Sequence, residues 1–172
     1  MTPPDLSNVP VPELDEAGFM ARFGHLFEHS PWVAERAYRY APFADAAALH
    51  GAFMKVLAEA APDDQLALLR AHPELADKVA QAEGLTEDSA KEQASAGLDR
   101  LTAEEYARFH ALNRAYRDRF GFPFIICVRL HDRASIFSAM QARLGHEPET
   151  EFEAALAQVG MIVQLRMGDL AQ

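Results

Sequence analysis

Residues 102–128, with the sequence TAEEYARFHALNRAYRDRFGFPFIICV, decide the fold class of this chain. Thr102 and Glu105 have the spacing of a capping box, and the amphipathic pattern after them predicts a helix to about Arg119. The apolar run at 122–128 has the local character of a β-strand, but nothing else in the sequence offers it a sheet partner. We therefore predict a buried extended segment within an all-α protein.

Helical signals continue on both sides of this stretch. Capping residues, prolines that open a first turn and terminating glycines place the other helices. The predicted helices cover about residues 15–29, 31–40, 46–59, 63–71, 73–83, 87–96, 103–119, 135–144 and 151–166. The last of them opens on a second capping box, Thr150 with Glu153. With no internal repeat and no linker, we expect residues 1–172 to form a single-domain bundle of about eight or nine helices, with an irregular segment at 1–12.

Composition and charge limit the function classes. With 172 residues, 49% of them hydrophobic, the chain can bury a complete core without a disulfide or a structural metal. Its one cysteine, Cys127, fits a reducing compartment. A formal charge of -10 with scattered basic residues argues against nucleic acid as a partner. The N-terminus lacks the pattern of a secretion signal and no apolar run has the length of a membrane span, so we expect a soluble protein that is not exported. A pocket arginine could still bind a small anionic metabolite, whatever the net charge.

His72 stands where one helix has to end. A residue before proline avoids the α region, so the helix opened by Pro62 must stop near His72. The imidazole would then lie near the positive end of the following helix, begun by Pro73, where the neutral ring is favoured and can exchange a proton at about pH 7. The alternative is that the His72–Pro73 pair only separates two helices.

Three polar residues share one face of the helix that Thr86 or Asp88 caps and Gly97 ends. Ser89 lies three residues before Glu92 and four before Gln93, so all three can project toward one cavity and hold a ligand rich in hydrogen-bonding groups. Glu92 could also orient His72. The alternative is an ordinary solvated helix face.

Two further features could complete a binding site. The segment FGFPFI, residues 120–125, concentrates aromatic surface that either lines a pocket or fills the core. Arg166 follows several apolar residues in the last helix, where a guanidinium could clamp a carboxylate or a urea group. Alternatively, its side chain extends along the helix to solvent.

One pair of histidines has a spacing that permits a metal ion. His25 and His29 are four residues apart on a predicted helix, with Glu28 beside them, but the sequence shows no third ligand in a known spacing. It also lacks a glycine-rich phosphate loop and a nucleophile elbow, and Cys127 is expected to be buried and inert. A metal-dependent hydrolase that uses the two histidines is therefore only an alternative.

Four motifs in register resemble one family. They are AHPELA at 71–76, SAKEQASAGL at 89–98, NRAYRDRFGFPFIICVR at 113–129 and VQLRM at 163–167. Together they resemble the 2-oxo-4-hydroxy-4-carboxy-5-ureidoimidazoline (OHCU) decarboxylases over about residues 13–168. The resemblance implies an all-helical, cofactor-free, homodimeric carboxy-lyase without a metal. Such an enzyme completes the conversion of urate to (S)-allantoin in purine catabolism.

The same resemblance implies a role for each matching residue. His72 would be the catalytic acid/base and Glu92 its partner. The substrate-binding residues would be Pro73, Ser89, Gln93, Phe124, Ile125 and Arg166. Residues 168–172, GDLAQ, do not match the peroxisomal signal that eukaryotic members often carry, which favours a bacterial cytoplasmic protein.

A cofactor-free decarboxylation is chemically reasonable for this substrate. The departing carboxylate lies β to a C=N bond, so the electron pair left by CO2 can move onto nitrogen without a pyridoxal, thiamine or metal electron sink. The alternatives that remain are an enzyme for a related ureido acid and a non-catalytic helical binding protein. The partner surface of such a binding protein would combine the acidic surface with the aromatic segment.

Overall fold

The computed structural model describes residues 2–77 and 85–171, and these residues form helices and connecting segments. No strand occurs within them, so the all-α prediction is confirmed. Eight α-helices lie in the described ranges, with a short 3-10 turn, Val128–Leu130, between the sixth and the seventh. The helices are α1 Glu16–Phe23, α2 Trp32–Tyr38, α3 Ala46–Glu59, α4 Pro62–Arg70, α5 Glu87–Ser95, α6 Ala103–Phe120, α7 Arg133–Arg143 and α8 Pro148–Leu170.

The helices group into two compact units. The contiguous unit comprises His72–Gln158, and the split unit combines Thr2–Ala71 with the residues from Val159 onward. Helix α8 therefore contributes its first half to one unit and its second half to the other. None of the described helices is both long and apolar enough to cross a membrane.

The split unit is built from α1 to α4 and the second half of α8. Asp15 and Asp45 cap α1 and α3 by accepting hydrogen bonds from backbone N–H groups, and Asp45 also holds the N–H of Asn8 in the segment before α1. The rings of Phe27 and Phe53 meet edge to face in its core, with centroids 5.5 Å apart. Residues 2–15 contain no helix.

The contiguous unit is built from α5 to α7 and the first half of α8. The capping box of Thr102 and Glu105 opens α6, and Gly121, with a φ of +77°, ends it. Every residue of 122–128 is buried, and 123–127 belong to neither helix nor strand. The prediction that this segment is buried within an all-α protein is confirmed, and we keep the name extended segment for residues 122–128. Tyr116 of α6 packs edge to face against Phe124 within it.

Several helix boundaries differ from the predicted ones. Helix α1 ends at Phe23, well before residue 29, because Gly24 is a poor helix former and His29 adopts a φ of +47°. Helix α2 starts after Pro31, and Ser30 makes no capping bond to it; the Ser30 hydroxyl donates instead to the carbonyl of Glu28. Helix α7 begins two residues early because Asp132 accepts from the N–H of Ser135.

The second predicted capping box does not form. Helix α8 begins at Pro148, so Thr150 lies inside its first turn. Proline fits the first turn of a helix because that position needs no N–H, and the first backbone bond runs from Glu151 N–H to the Glu147 carbonyl.

The helix predicted to begin at Pro73 does not begin there. Residues 73–77 are not helical, and Ala76 has a φ of +58°, which no right-handed helix accommodates. The predicted end of that helix at Gly84 lies outside the described residues.

Candidate active site

His72 follows directly after α4 and its capping residue Ala71, as the predicted helix break requires. It is the first residue of the contiguous unit and only 9% exposed. The chain then continues through Pro73 into a turn at Leu75 and Ala76. We call residues 72–77 the His72 loop.

The His72 loop is bound to α5 by one amide side chain. The Oε1 atom of Gln93 accepts a hydrogen bond of 3.0 Å from the N–H of Ala76, and its Nε2 atom donates to the carbonyl of Glu74 at 3.5 Å. Ala76 is the residue with the left-handed φ, a conformation that costs a non-glycine residue about 1 kcal/mol or more. Gln93 therefore stabilises an unfavourable turn four residues from His72.

A second helix binds the same loop. Asn113 of α6 donates from Nδ2 to the carbonyl of Leu75 at 2.8 Å, and Arg117 pairs with Glu74 at 2.9 Å. Sequence reasoning missed Asn113 as a site residue. The signal was present, because Asn113 is a polar residue among Phe109 and Tyr116 on the buried face of α6.

Helix α5 presents the predicted polar face to the protein interior. Thr86 Oγ1 accepts from the N–H of Ser89 and so fixes where the helix begins. Ser89 and Gln93 are buried, while Glu92 between them is half-buried. A solvated helix face is therefore wrong for Ser89 and Gln93.

Phe124 and Ile125 lie in the buried extended segment of the contiguous unit. Arg143 Nη1 donates to the carbonyl of Ile125 at 2.7 Å, and Gln158 Oε1 accepts from the N–H of Cys127 at 2.9 Å. Side-chain groups, rather than a sheet ladder, therefore satisfy part of this backbone.

Arg166 lies in the split unit and is 5% exposed, so it does not extend to solvent. Its Nη1 atom donates to the carbonyl of Leu26 at 3.0 Å and lies 3.3 Å from Glu28 Oε2. Sequence reasoning did not find Glu28 as the partner of Arg166, because 138 residues separate them.

The predicted histidine pair loses its geometric basis. Helix α1 ends at Phe23, so His25 and His29 do not share a helix face. Within residues 2–77 and 85–171, no group of three histidine, cysteine or carboxylate residues is arranged to hold a metal ion.

Seven of the eight predicted site residues therefore lie in the contiguous unit, on the His72 loop, on α5 and in the extended segment, and Arg166 lies in the split unit. The first two elements are joined by a hydrogen bond from the loop to Gln93, which is adjacent to Glu92 in sequence. These residues include a buried imidazole, a half-buried carboxylate, a hydroxyl and an amide, which are groups capable of proton transfer and hydrogen bonding.

Comparison with known proteins gives a consistent result. A model of the OHCU decarboxylase family matches residues 12–168. The 2-oxo-4-hydroxy-4-carboxy-5-ureidoimidazoline decarboxylase of Haloferax volcanii is 42% identical over 159 residues, which span 92% of each chain. The uric acid degradation bifunctional protein of Bacillus subtilis is 38% identical over 158 residues, which are 92% of this chain and 31% of that protein.

Solved structures share the fold. A crystal structure of (S)-allantoin synthase superposes with a TM-score of 0.72 at 32% identity, covering 91% of this chain. This chain spans 51% of the length of that one. An OHCU decarboxylase crystallised in the presence of (S)-allantoin has a TM-score of 0.69 at 22% identity, covering 91% of this chain and 98% of that one.

Proposed function

This chain belongs to the OHCU decarboxylase family, and from that premise we propose that His72 and Glu92 carry out its reaction. The protein is a decarboxylating lyase that converts OHCU to (S)-allantoin in urate degradation. The observation that supports these two residues most directly is the Gln93 side chain, which binds the His72 loop to the helix that carries Glu92.

The reaction needs proton control more than an electron sink. The bond between C4 and the carboxylate breaks, and CO2 leaves. The electron pair of that bond forms a C4=C5 double bond. At the same time the π pair of the C=N bond moves onto nitrogen, which takes a proton. The C4 hydroxyl then loses its proton while C5 gains one on a single face. Orientation and delivery of that proton are what a histidine with a carboxylate neighbour can supply.

His72 is suited to this role by its position. It is mostly buried, and the loop after it is fixed by α5 and α6 rather than left to move with solvent. In the proposal His72 exchanges the proton of the C4 hydroxyl or supplies the one at C5, and Glu92 fixes the orientation of the imidazole. A fixed ring favours one face of C5 over the other, which accounts for a single enantiomer.

The remaining site residues bind the substrate in this proposal. Ser89 and Gln93 offer hydrogen bonds from the buried face of α5, and the amide nitrogen of Gln93 has a second N–H besides the one directed at Glu74. Arg166 binds the carboxylate or the ureido group. Pro73, Phe124 and Ile125 line the pocket.

The decisive experiment generates the unstable substrate in place from urate with urate oxidase and hydroxyisourate hydrolase. Circular dichroism then follows the optical activity of the allantoin formed. Spontaneous decay gives racemic allantoin, so we expect an early excess of the S enantiomer with the wild-type chain. We expect His72→Asn to remove that excess, because asparagine cannot exchange a proton at about pH 7.

His110→Asn is the matched control, since His110 is an exposed histidine on α6. It should behave as wild type. If His72→Asn retained the S excess, the acid/base role of His72 would be wrong. If the wild-type chain gave only racemic allantoin at the spontaneous rate, the chain would act on a related ureido acid or bind without turnover.

We further propose that the protein is a cytoplasmic homodimer. The family resemblance supports the dimer, and one cysteine buried as a thiol supports a reducing compartment. Light scattering coupled to size-exclusion chromatography tests the first proposal, and fractionation of expressing cells tests the second.

A further inference from the structure

A fully buried carboxylate, Glu151, lies at the centre of a polar cluster in the contiguous unit. Its Oε1 atom accepts from the Tyr116 hydroxyl and, at 2.8 Å, from Arg143 Nε, and its Oε2 atom lies 2.9 Å from His146 Nδ1. We call these four residues the Glu151 cluster. None of them was singled out by the sequence motifs as a site residue.

The charge of the buried Glu151 is compensated within the cluster. A buried carboxylate is costly unless it is paired and hydrogen-bonded, and Glu151 has both an arginine and a tyrosine as partners. Burial, together with the neighbouring carboxylate, raises the pKa of Tyr116, so its hydroxyl stays protonated and donates. The side chain of Arg143 is therefore held firmly at one end.

The guanidinium of Arg143 also contacts the extended segment. Its Nη1 atom donates to the carbonyl of Ile125, and its guanidinium lies over the ring of Phe124, 4.4 Å from the centroid. Residues 123–127 belong to no helix or strand, so side-chain contacts such as this one determine where their backbone lies.

We propose that Arg143, anchored by Glu151, is a positioning residue that holds the backbone of Phe124 and Ile125 in the geometry that binds substrate. The proposal rests on the proposed function, in which Phe124 and Ile125 line the substrate pocket. Arg143 binds the protein and not the substrate. Its loss should therefore weaken substrate binding more than it slows the chemical step.

The test must separate positioning from simple destabilisation. Arg143→Met alone leaves the buried Glu151 without its arginine partner, which is strongly destabilising. The double variant Arg143→Met/Glu151→Gln removes both charges and should recover stability, because a buried ion pair can be replaced by neutral groups at little cost. Arg119→Met is the matched control, since Arg119 is exposed and donates to the nearby carbonyl of His146.

Two readouts are measured on each variant. Hydrogen exchange of the peptide that spans 122–128 reports whether the segment is held, and the coupled allantoin assay reports KM and kcat. For the double variant we expect faster exchange in that peptide, a KM raised by about tenfold and kcat within about twofold of wild type. Arg119→Met should match wild type in both readouts.

An unchanged KM in a folded double variant would overturn the proposal, whether or not exchange becomes faster. A KM that follows the denaturation midpoint across all the variants would overturn it as well. Should the double variant not fold, Arg143→Lys gives the same comparison, because one ammonium cannot reproduce the fork that contacts Glu151 and Ile125 together. A wild-type chain that forms only racemic allantoin would refute the proposed function, while the exchange data still decide whether Arg143 holds the segment.

Discussion

The Gln93 side chain binds the His72 loop, in addition to its proposed contact with the substrate. It accepts from the N–H of Ala76, the one described residue of the His72 loop with a left-handed backbone, and it is itself buried. A residue proposed to bind the substrate thus also stabilises the loop that follows His72, the proposed acid/base. The two roles are compatible, because the amide has four hydrogen-bonding directions and two remain after those used for Ala76 and Glu74.

We expect Gln93→Ala to lower both stability and turnover. Removing the acceptor leaves the buried N–H of Ala76 without this partner, which costs about 1–3 kcal/mol of the free energy of unfolding. Because the His72 loop loses a constraint, kcat should fall together with a rise in KM. Urea denaturation and the coupled allantoin assay measure the two effects.

Lys91→Ala is the control on the same helix. Lys91 is exposed and pairs with Glu87 across one turn, so its loss should change stability by less than about 0.5 kcal/mol. A Gln93→Ala variant with unchanged kcat and only a raised KM would show that Gln93 contacts substrate without shaping the loop.

At the scale of the helices, two threonines with the same sequence context differ in role. Thr102 accepts from the N–H of Glu105, whose side chain accepts from the N–H of Thr102, whereas Thr150 lies within the first turn of α8. Thr102→Ala should therefore cost about 1 kcal/mol of stability, as for other helix caps. Thr150→Ala should be neutral or slightly stabilising, because alanine is the better residue inside a helix.

Chemical denaturation of both variants measures the difference. Each position is exposed, so core packing does not obscure the comparison. Equal losses at the two positions would mean that the second capping box forms after all.

This contrast shows which parts of the fold local sequence can determine. Asp45, Pro62, Thr86 and Thr102 placed their helices correctly, because a cap acts on N–H groups only a few residues away. The helix start predicted at Thr150 is wrong, because the helix already begins at Pro148. Both residues favour a helix start, and the sequence alone does not decide between them.

For the site residues too, local spacing predicted some features and tertiary packing determined others. Burial of Ser89 and Gln93 followed from helical spacing once the face was assigned to a cavity. The partners Asn113 for Leu75 and Glu28 for Arg166 could not be predicted, since they depend on tertiary packing between residues 38 and 138 positions apart.

At the scale of the whole molecule, the two units differ in how the chain builds them. The contiguous unit needs only residues 72–158, whereas the split unit joins its N-terminal helices to the end of α8. Contacts within the split unit include Gln164 to the carbonyl of Pro4, across 160 residues, and Arg166 to that of Leu26, across 140. Closing such loops costs entropy before any contact forms.

We therefore expect the contiguous unit to gain protection first during refolding. Contacts between distant residues slow folding, and the split unit depends on them. Pulsed hydrogen exchange after dilution from denaturant, read by mass spectrometry, compares peptides from 72–158 with those from 2–71 and 159–171. Protection of the split unit first, or of both units in one step, would contradict this order.

The split unit cannot be completed until the end of the chain has been translated. The ribosome synthesises residues 2–71 well before those from Val159 onward. Helices α1 to α4 therefore leave the ribosome before the segment that completes their unit. During that interval the unit lacks the apolar side chains of Val159, Val163 and Leu165, which are buried in the complete fold. We expect nascent chains of this length to engage chaperones that bind apolar surface, and polypeptides released early to be cleared by proteolysis.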